Sequence, residues 1–500
     1  MGAAVSPSDV SRLSKPETVF DRDAEWEALG AFARDTRPGA GLGVVTGRLR
    51  QGKTFLLKAL TAALGGFYFG AQQAAQAESL RRLADELAQY TGTAPAAPWR
   101  GWEDAVDALL ALGDREPVLV VVDDFPDLVR QSPALPSLIH SACRRLRETG
   151  RDNHLRLLLS GSSLPVMHRL FSAASPLHEL AGLELDLRPL DFRQAARFWG
   201  IDDPHLALSV HAVVGGTPAY RRYAGDHAPS GPDDFDAWVC RTVLNPGTPL
   251  FLEAHQLLQE ETDHWDRALC HSALAAIASG CPTPGAIAQR LGAPLTEASH
   301  CLALLQENGL LHGEPDAFRP SVTRLRIAEP LLAFEHAAVW PSRSALEQQN
   351  TCEVWRRVRP VFDSAVAGPH FAQVCRDWVT DFADPDVFGA PPATAAHGSL
   401  PDPEHRAGPD TEAEVVVRGR ARAGPGPVLS VGLARWEEVM DLHHLQQLRH
   451  LLALLAARGE DVTGARPACY SGGGFTPALH AAEADGDVLL VGLDRLYRGR

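Results

Sequence analysis

Short apolar runs alternate with longer amphipathic stretches over residues 19–200. The runs LGVVTG, PVLVVVDD and LRLLLSGSS are rich in Val and Leu and end in Gly, Ser or Asp. Strands buried on both faces show this pattern, and helices of ten or more residues between such strands connect them in parallel. The pattern predicts an α/β fold here, with a parallel sheet that carries helices on both faces.

The pattern changes in the rest of the chain. Residues 201–265 are rich in Leu and Ala with few strand signals, which predicts a helical segment. Residues 266–330 predict helices followed by two Arg-bearing strands, the order of a winged helix. After a connector at 331–358, strand-like and helical patterns return in residues 359–500. Within that last part, residues 389–425 or so are rich in Pro, Gly and Ala, so we expect long mobile loops there.

Composition narrows the class of protein. With 500 residues, 45% of them hydrophobic, the chain can bury the cores of two to four domains. A net charge of −15 argues against a general nucleic-acid coat, because phosphate binding needs clustered Lys and Arg. No apolar run approaches the roughly 18 residues of a membrane span. Residues 1–18 predict a flexible polar tail, and eight cysteines without a C-x-x-C pair fit a reducing compartment, so we expect a cytoplasmic protein.

The stretch GVVTGRLRQGKTFLLKAL combines an apolar strand, a glycine-bounded loop and an amphipathic helix. It fits the pattern G-x-x-x-x-G-K-[ST], and it holds two of only three lysines in the chain. Loop amides and a helix N-terminus form a positive cradle for β and γ phosphates, the lysine adds a point charge, and the hydroxyl of Thr54 holds Mg²⁺. We expect ATP or ADP with Mg²⁺ to bind at Gly47, Arg48, Leu49, Arg50, Gln51, Gly52, Lys53, Thr54 and Phe55.

A second acidic element is expected on a neighbouring strand, and VLVVVDDFPDLV provides it. Asp123 is the expected Mg²⁺ ligand, acting in the second shell. Asp124 stands where many P-loop ATPases have a glutamate that positions the attacking water. Aspartate is one methylene shorter, and a displacement of about 1 Å can cost roughly 10²-fold in rate. In the third strand, LRLLLSGSSLP, Ser160 or Ser162 either bonds the γ-phosphate or its water, or is only a turn residue.

Six segments together resemble the archaeal-type P-loop ATPases of the AAA+/STAND group that carry a C-terminal restriction-endonuclease-like domain of unknown function. They are GRLRQGKT, VVVDDFPDLV, LSGSSLPVMHRL, GGTPAYRRY, NPGTPLF and HFAQVCRDW. The resemblance runs from about residue 19 to the end of the sequence. It implies a P-loop ATPase core at 19–200, a helical lid at 201–265, a winged helix at 266–330 and a nuclease-like domain at 359–500. It also makes Arg22 and Pro218 candidates for contact with the base.

Two departures from the family bear on ATP hydrolysis. One is the Asp-Asp pair, because the family usually has Asp-Glu there. The other is SPLHELAG, with Glu179 and Leu180 in place of the Gly-Arg of a PLYGR segment, whose arginine is a candidate γ-phosphate sensor. Losing such an arginine can cost on the order of 10³-fold in rate. Arg188, Arg193 or an arginine from another copy in a homo-oligomer are the substitutes to consider, and we expect weak hydrolysis at best.

A third departure lies in the nuclease-like domain. Nucleases of this kind need an acid at one strand end and Glu-x-Lys on the next, to bind Mg²⁺ and activate water. This chain has Phe371-Ala372-Gln373, then Glu414, then Leu433 and Arg435 at these positions. Arginine cannot replace lysine in proton chemistry, and Glu412 with Glu414 cannot build the site alone. We expect an inactive domain that binds a protein partner.

The predicted winged helix is only weak evidence that the protein binds nucleic acid. Its recognition helix, expected at 294–308, contains no Lys or Arg, and its wing offers Arg319, Arg324 and Arg326. Base readout and approach to DNA both favour basic side chains.

Three hypotheses follow from the sequence. The favoured one is an ATP-binding regulatory switch with weak hydrolysis at best. The first alternative is a non-hydrolysing scaffold that holds nucleotide as a structural element. The second is a DNA-binding regulator, which depends on the winged helix alone.

Overall fold

The computed structural model describes residues 13–93, 98–149, 152–261, 267–348, 350–401, 410–421 and 426–499. The chain divides into two compact units, Met1–Pro189 and Leu190–Arg500. The finer division of the second unit into a lid, a winged helix and a nuclease-like domain stays a prediction.

The first unit alternates strands and helices. Its strands are β1 (Gly41–Thr46), β2 (Phe67–Gly70), β3 (Val118–Asp123), β4 (Leu155–Gly161) and β5 (Ala181–Asp186). Its helices are α1 (Asp23–Ala33), α2 (Lys53–Leu64), α3 (Gln76–Thr91), α4 (Trp102–Ala111), α5 (Phe125–Gln131), α6 (Leu135–Thr149) and α7 (Leu164–Leu170).

The strands of the first unit form one parallel sheet in the order β2-β3-β4-β1-β5. The predicted parallel sheet is therefore confirmed. The expectation that the acidic strand neighbours the phosphate-loop strand is wrong, because β4 lies between β1 and β3. Sequence order does not determine strand order when crossover helices allow a strand to be skipped. The carboxyl ends of β1, β4 and β3 nevertheless lie side by side at one sheet edge.

Two apolar clusters cover the two faces of this sheet. On one face, alternate strand residues such as Val44, Val122 and Leu157 pack with side chains from α3, α4, α5 and α6. On the other face, Val45, Val121 and their neighbours pack with α1 and α2. Strands buried on both faces read as continuous apolar runs, which explains why the sequence pattern was so clear.

The second unit begins with helices and ends with a mixed sheet. Its helices are α8 (Phe192–Trp199), α9 (Pro204–Val214), α10 (Ala219–Tyr223), α11 (Phe235–Arg241), α12 (Pro249–Glu261), α13 (Arg267–Ala278), α14 (Pro284–Leu291), α15 (Leu295–Glu307), α16 (Pro330–Phe334), α17 (Arg343–Gln348), α18 (Thr351–Val361), α19 (Gly368–Asp381), α20 (Leu442–Ala457), α21 (Pro477–Ala484) and α22 (Leu493–Arg498). None of the described helices in either unit is long and apolar enough to cross a membrane.

The strands of the second unit form a hairpin and a larger sheet. They are β6 (Leu311–Pro315), β7 (Thr323–Ile327), β8 (Pro392–Leu400), β9 (Thr411–Gly419), β10 (Val428–Arg435), β11 (Arg466–Ser471) and β12 (Leu489–Gly492). The hairpin β6–β7 is antiparallel and follows α13, α14 and α15. In the sheet β12-β11-β10-β9-β8, β8, β9 and β10 pair antiparallel, whereas β10, β11 and β12 pair parallel.

The expectation of long loops at about 389–425 is wrong over much of that range. Pro392–Leu400 and Thr411–Gly419 are paired strands, while residues 402–409 and 422–425 lie outside the described residues. The Pro and Gly signals were misleading because β8 pairs with β9 only, among the described strands. Proline is tolerated at the first residue of such an edge strand, where no ladder hydrogen bond is lost.

Gly216 lies where two segments of the second unit approach closely. Its carbonyl accepts a hydrogen bond of 2.8 Å from the Leu190 amide, and a Cβ at this position would lie 1.8 Å from the Leu190 carbonyl oxygen. We expect Gly216→Ala to destabilise the unit by about 1–3 kcal/mol, the usual cost of overpacking. Thermal unfolding measures this, with Gly231→Ala as the control because no atom lies within 4 Å of its added Cβ. Equal melting temperatures for the two variants would contradict the expectation.

Candidate phosphate and magnesium site

The loop between β1 and α2 has the backbone of a phosphate cradle. Gly47 has φ 143°, and a Cβ there would lie 2.5 Å from the Leu187 carbonyl oxygen, so only glycine fits. Arg50 is left-handed at φ 65°, which is unusual for a residue with a side chain. Gly52 precedes the first turn of α2, whose free amides point toward the loop. Arg48 and Gln51 are buried, and Phe55 is exposed.

Lys53 is folded back onto the loop. Its Nζ donates hydrogen bonds of 2.7 Å to the Gly47 carbonyl and 2.8 Å to the Arg48 carbonyl, and the residue is buried. A buried ammonium needs such partners, because an unsatisfied one would be very costly. The lysine is therefore held in the loop where the sequence predicted it, and a phosphate would compete with these two carbonyls for its protons.

The carboxylate of Asp123 lies at the end of β3 and is almost completely buried. Its Oδ2 accepts a hydrogen bond of 2.6 Å from Thr54 Oγ1 and one of 2.8 Å from the Tyr68 hydroxyl. Its Oδ1 accepts one of 3.1 Å from the Asp124 amide. The structure thus brings Thr54 and Asp123 into direct contact, and it adds Tyr68, which the sequence analysis missed.

Asp124 follows directly and has a strained backbone, with φ 53° in the left-handed region. Burial and the neighbouring negative charges of Asp123 and Asp127 together raise the pKa of its carboxyl to about 6, although Lys53 acts in the opposite direction. Strain and a displaced pKa are common at functional sites, although either can also arise in a structural network. Its predicted role in positioning water stays a prediction.

The two candidate serines differ in their surroundings. Ser160 lies within β4, opposite Val45 of β1, and is completely buried; its hydroxyl has no hydrogen-bond partner within the described residues. Ser162 follows the strand, in a bend. Ser160 is therefore not a turn residue. Contact of the buried Ser160 hydroxyl, or of Ser162, with phosphate or water stays a prediction.

The donor atoms fit magnesium held jointly with phosphate. Thr54 and Asp123 offer hydroxyl and carboxylate oxygens, the ligands that Mg²⁺ prefers. In the described parts of the chain, no group of three or more His, Cys, Asp or Glu side chains is arranged to hold a metal ion by itself. Mg²⁺ is commonly bound through one or two protein oxygens together with phosphates and water, which is what this pair can provide.

The two predicted base contacts are placed differently. Arg22 is buried and left-handed at φ 63°, and its Nη2 donates a hydrogen bond of 2.7 Å to the Arg188 carbonyl just beyond β5. Its Nη1 bonds Glu25 Oε1 at 2.9 Å. Pro218 belongs to the second unit, at the start of α10. For both residues, contact with adenine stays a prediction.

The two candidate replacement arginines also differ. The Arg193 guanidinium donates hydrogen bonds of 2.7 Å to the carbonyls of Leu496 and Gly499 and lies 4.2 Å from the Phe382 ring centroid. Through these contacts Arg193 anchors α22, the last described helix of the second unit. Arg188 is exposed and lies 3.7 Å from Asp186. Glu179 and Leu180 form a short turn before β5, with Glu179 exposed.

Residues at the predicted nuclease positions are engaged with one another. Arg435 Nη1 donates a hydrogen bond of 2.7 Å to Glu414 Oε1. Arg376 bonds Gln373 Oε1 at 2.5 Å and the Glu414 carbonyl at 2.8 Å. Leu433 is buried. Glu414, one of the carboxylates considered in the sequence analysis, is thus held in an ion pair with Arg435.

The arginines of the predicted wing are paired with carboxylates. Arg326 lies 3.0 Å from Glu314, Arg319 3.1 Å from Asp410, and Arg324 4.0 Å from Glu412. Glu412 also lies 3.6 Å from His397. Arginines that are paired with carboxylates leave little net positive charge on this surface, and binding to DNA phosphates needs such charge.

The fold and the site of the first unit fit a P-loop NTPase core. They combine a five-stranded parallel sheet, helices on both of its faces, a glycine-bounded loop that leads into a helix, and an acidic residue at the end of another strand.

Comparison with known proteins gives only distant likenesses. No family model and no curated protein matches the sequence. The Walker-type ATPase PABY2304 of Pyrococcus abyssi is similar over 66% of this chain and 99% of its own length, with 19% identity and a TM-score of 0.49. The Aeropyrum pernix ORC2 protein is similar over 69% and 97%, with 18% identity and a TM-score of 0.46. Likeness at this level does not establish a shared function.

If Arg193 is an anchor, its loss should affect folding rather than phosphate chemistry. We expect Arg193→Ala to cost about 1.5–3 kcal/mol of stability, the usual value for hydrogen bonds to a charged group. Its affinity for nucleotide should be unchanged. Arg188→Ala is the matched control and should melt like the parent protein, because its side chain is exposed. Differential scanning calorimetry measures both variants, and a parent-like Arg193→Ala would contradict the anchoring role.

Proposed function

We propose that the chain binds ATP and Mg²⁺ at the Gly47–Thr54 loop and acts as a nucleotide-dependent regulatory switch with slow hydrolysis. The observation that carries the proposal is the convergence of Lys53, Thr54 and Asp123 at one sheet edge. Thr54 lies 2.6 Å from Asp123, and Lys53 bonds the carbonyls of the loop itself. These groups match the needs of a magnesium–phosphate ligand: a cation, a hydroxyl and a carboxylate.

Binding requires two internal contacts to be exchanged. Lys53 gives up hydrogen bonds to the Gly47 and Arg48 carbonyls when it meets phosphate oxygens, and charge-assisted bonds to phosphate are stronger than those to carbonyls. Thr54 and Asp123 would hold Mg²⁺, which supplies positive charge to the phosphates when bound. The hydroxyl of Thr54 would offer an oxygen lone pair to the metal while it donates its proton to Asp123. The loop therefore has distinct empty and loaded arrangements, which is what a switch needs.

Slow hydrolysis follows from what the residues near the phosphates lack. Asp124 is shorter than the glutamate that many P-loop ATPases use, so it reaches a water less well. The sequence places Glu179 where a sensor arginine is expected, and Arg193 is occupied as an anchor. The expected sensor position thus holds no arginine, a loss that can cost on the order of 10³-fold in rate. A second copy in a homo-oligomer could provide it.

The second unit is proposed to change its contact with a protein partner when the nucleotide changes. We assign it a helical lid at 201–265, a winged helix at 266–330 and a nuclease-like domain at 359–500 that no longer cleaves. The Glu414–Arg435 pair and the buried Leu433 support the loss of cleavage. The paired wing arginines support protein contact over DNA contact. The partner is a protein whose identity the chain does not reveal.

A scaffold that holds nucleotide without turning it over is the second candidate. The observation that favours it is the same replacement of the expected sensor arginine, with Glu179 and Leu180 in place of Gly-Arg. In that case the purified chain retains ADP or ATP and gains stability from it, in proportion to the logarithm of ligand excess.

ATP turnover with Mg²⁺ tests the proposal, measured on the purified chain over a range of protein concentrations. We expect slow turnover that Lys53→Ala abolishes, because the variant loses the cation that holds the phosphates. Arg144→Ala removes an exposed charge from α6 of the same unit and should leave the rate unchanged. A rate per chain that rises with concentration would indicate a site completed by a second copy.

Two outcomes would count against the switch. Equal turnover in the parent and in Lys53→Ala would mean that another site, or a contaminant, cleaves ATP. If the purified chain retains nucleotide but hydrolyses ATP no faster than Lys53→Ala, the scaffold hypothesis explains the protein better than the switch.

A further inference from the structure

Tyr68 is the least expected member of the site. It lies on β2, at the edge of the sheet, in register with Val121 of the neighbouring strand β3. Its hydroxyl reaches along the strands to Asp123 Oδ2, 2.8 Å away. The ring packs with the apolar cluster under α1 and α2, and Lys58 Nζ lies 5.1 Å from the ring centroid. The ring is therefore held firmly enough to aim the hydroxyl.

Three hydrogen bonds hold the Asp123 carboxylate. Oδ2 accepts from both Thr54 and Tyr68, and Oδ1 accepts from the Asp124 amide. The Thr54 hydroxyl would also offer an oxygen lone pair to Mg²⁺. The Tyr68 hydroxyl has no such second task, so it can fix the orientation of the carboxylate with or without the ion.

Tyr68 is also kept in the donor form. An ordinary phenol has a pKa of about 10, so the Tyr68 hydroxyl carries its proton at neutral pH. It donates a hydrogen bond to the Asp123 carboxylate and does not compete with it for a cation.

We propose that Tyr68 is a positioning residue for magnesium: it fixes the Asp123 carboxylate in the orientation needed to hold the ion. This inference rests on the proposed function, because it requires that Mg²⁺ and nucleotide bind at this loop. Loss of a residue that orients a metal ligand by hydrogen bonding typically lowers metal affinity by about 10- to 100-fold. A purely structural tyrosine would affect stability but not the magnesium requirement.

The test compares Tyr68→Phe with the parent chain, using a fluorescent ADP analogue titrated at increasing Mg²⁺ concentrations and in EDTA. Phenylalanine keeps the ring and removes only the hydroxyl. We expect the half-saturating Mg²⁺ concentration to rise about tenfold or more, with the affinity in EDTA unchanged. Tyr90→Phe is the matched control, since its hydroxyl bonds the Gly65 carbonyl at 2.9 Å within the same unit. An unchanged magnesium requirement in Tyr68→Phe overturns the proposal.

A double-mutant comparison keeps the test decisive if Tyr68→Phe also lowers stability. If Tyr68 acts through Asp123, adding Tyr68→Phe to Asp123→Asn should cause no further change in the magnesium requirement. Additive changes would overturn the positioning role.

Failure of the proposed function gives a different result. In that case the parent chain and Lys53→Ala both fail to bind the ADP analogue at any Mg²⁺ concentration. If the parent chain binds the analogue and Tyr68→Phe has the same magnesium requirement, only the inference about Tyr68 is refuted.

Discussion

The carboxylate of Asp123 is the point on which the proposed site depends. It is buried at the end of β3, where it receives hydrogen bonds from a residue of α2, a residue of β2 and the first amide after its own strand. A buried carboxylate is tolerated only when its oxygens are satisfied, so these contacts tie three elements together. The two covered faces of the parallel sheet keep those elements in register. The chemistry at the sheet edge is thus a consequence of how the core packs.

The loop is satisfied by its own groups before any ligand arrives. Lys53 bonds two loop carbonyls, and Thr54 bonds Asp123. A phosphate must take Lys53 from the two loop carbonyls, so the gain on binding is the difference between two satisfied arrangements. Such a balance suits a switch, because modest differences in affinity can shift the population. It gives no strong drive toward hydrolysis, for which the sequence has Glu179 and Leu180 in place of the expected Gly-Arg with its sensor arginine.

Much of this site could be predicted from the sequence because its signals are local. The glycine-bounded loop, Lys53 and Thr54 lie within eight residues, and Asp123 ends an apolar run typical of a buried strand. What could not be predicted depends on pairing between distant segments. The position of β4 between β1 and β3, the contact of Tyr68 with Asp123 and the anchoring by Arg193 all require the tertiary fold. The strands β8 and β9 were missed because the proline and glycine residues in and around them are typical of loops.

The central claim is that one magnesium nucleotide binds to each chain at the Gly47–Thr54 loop. Isothermal titration calorimetry of the purified, nucleotide-free chain with ADP, in Mg²⁺ and again in EDTA, tests it most directly. The account predicts one saturable site per chain, with higher affinity in Mg²⁺ than in EDTA. The absence of saturable binding under both conditions would contradict the claim.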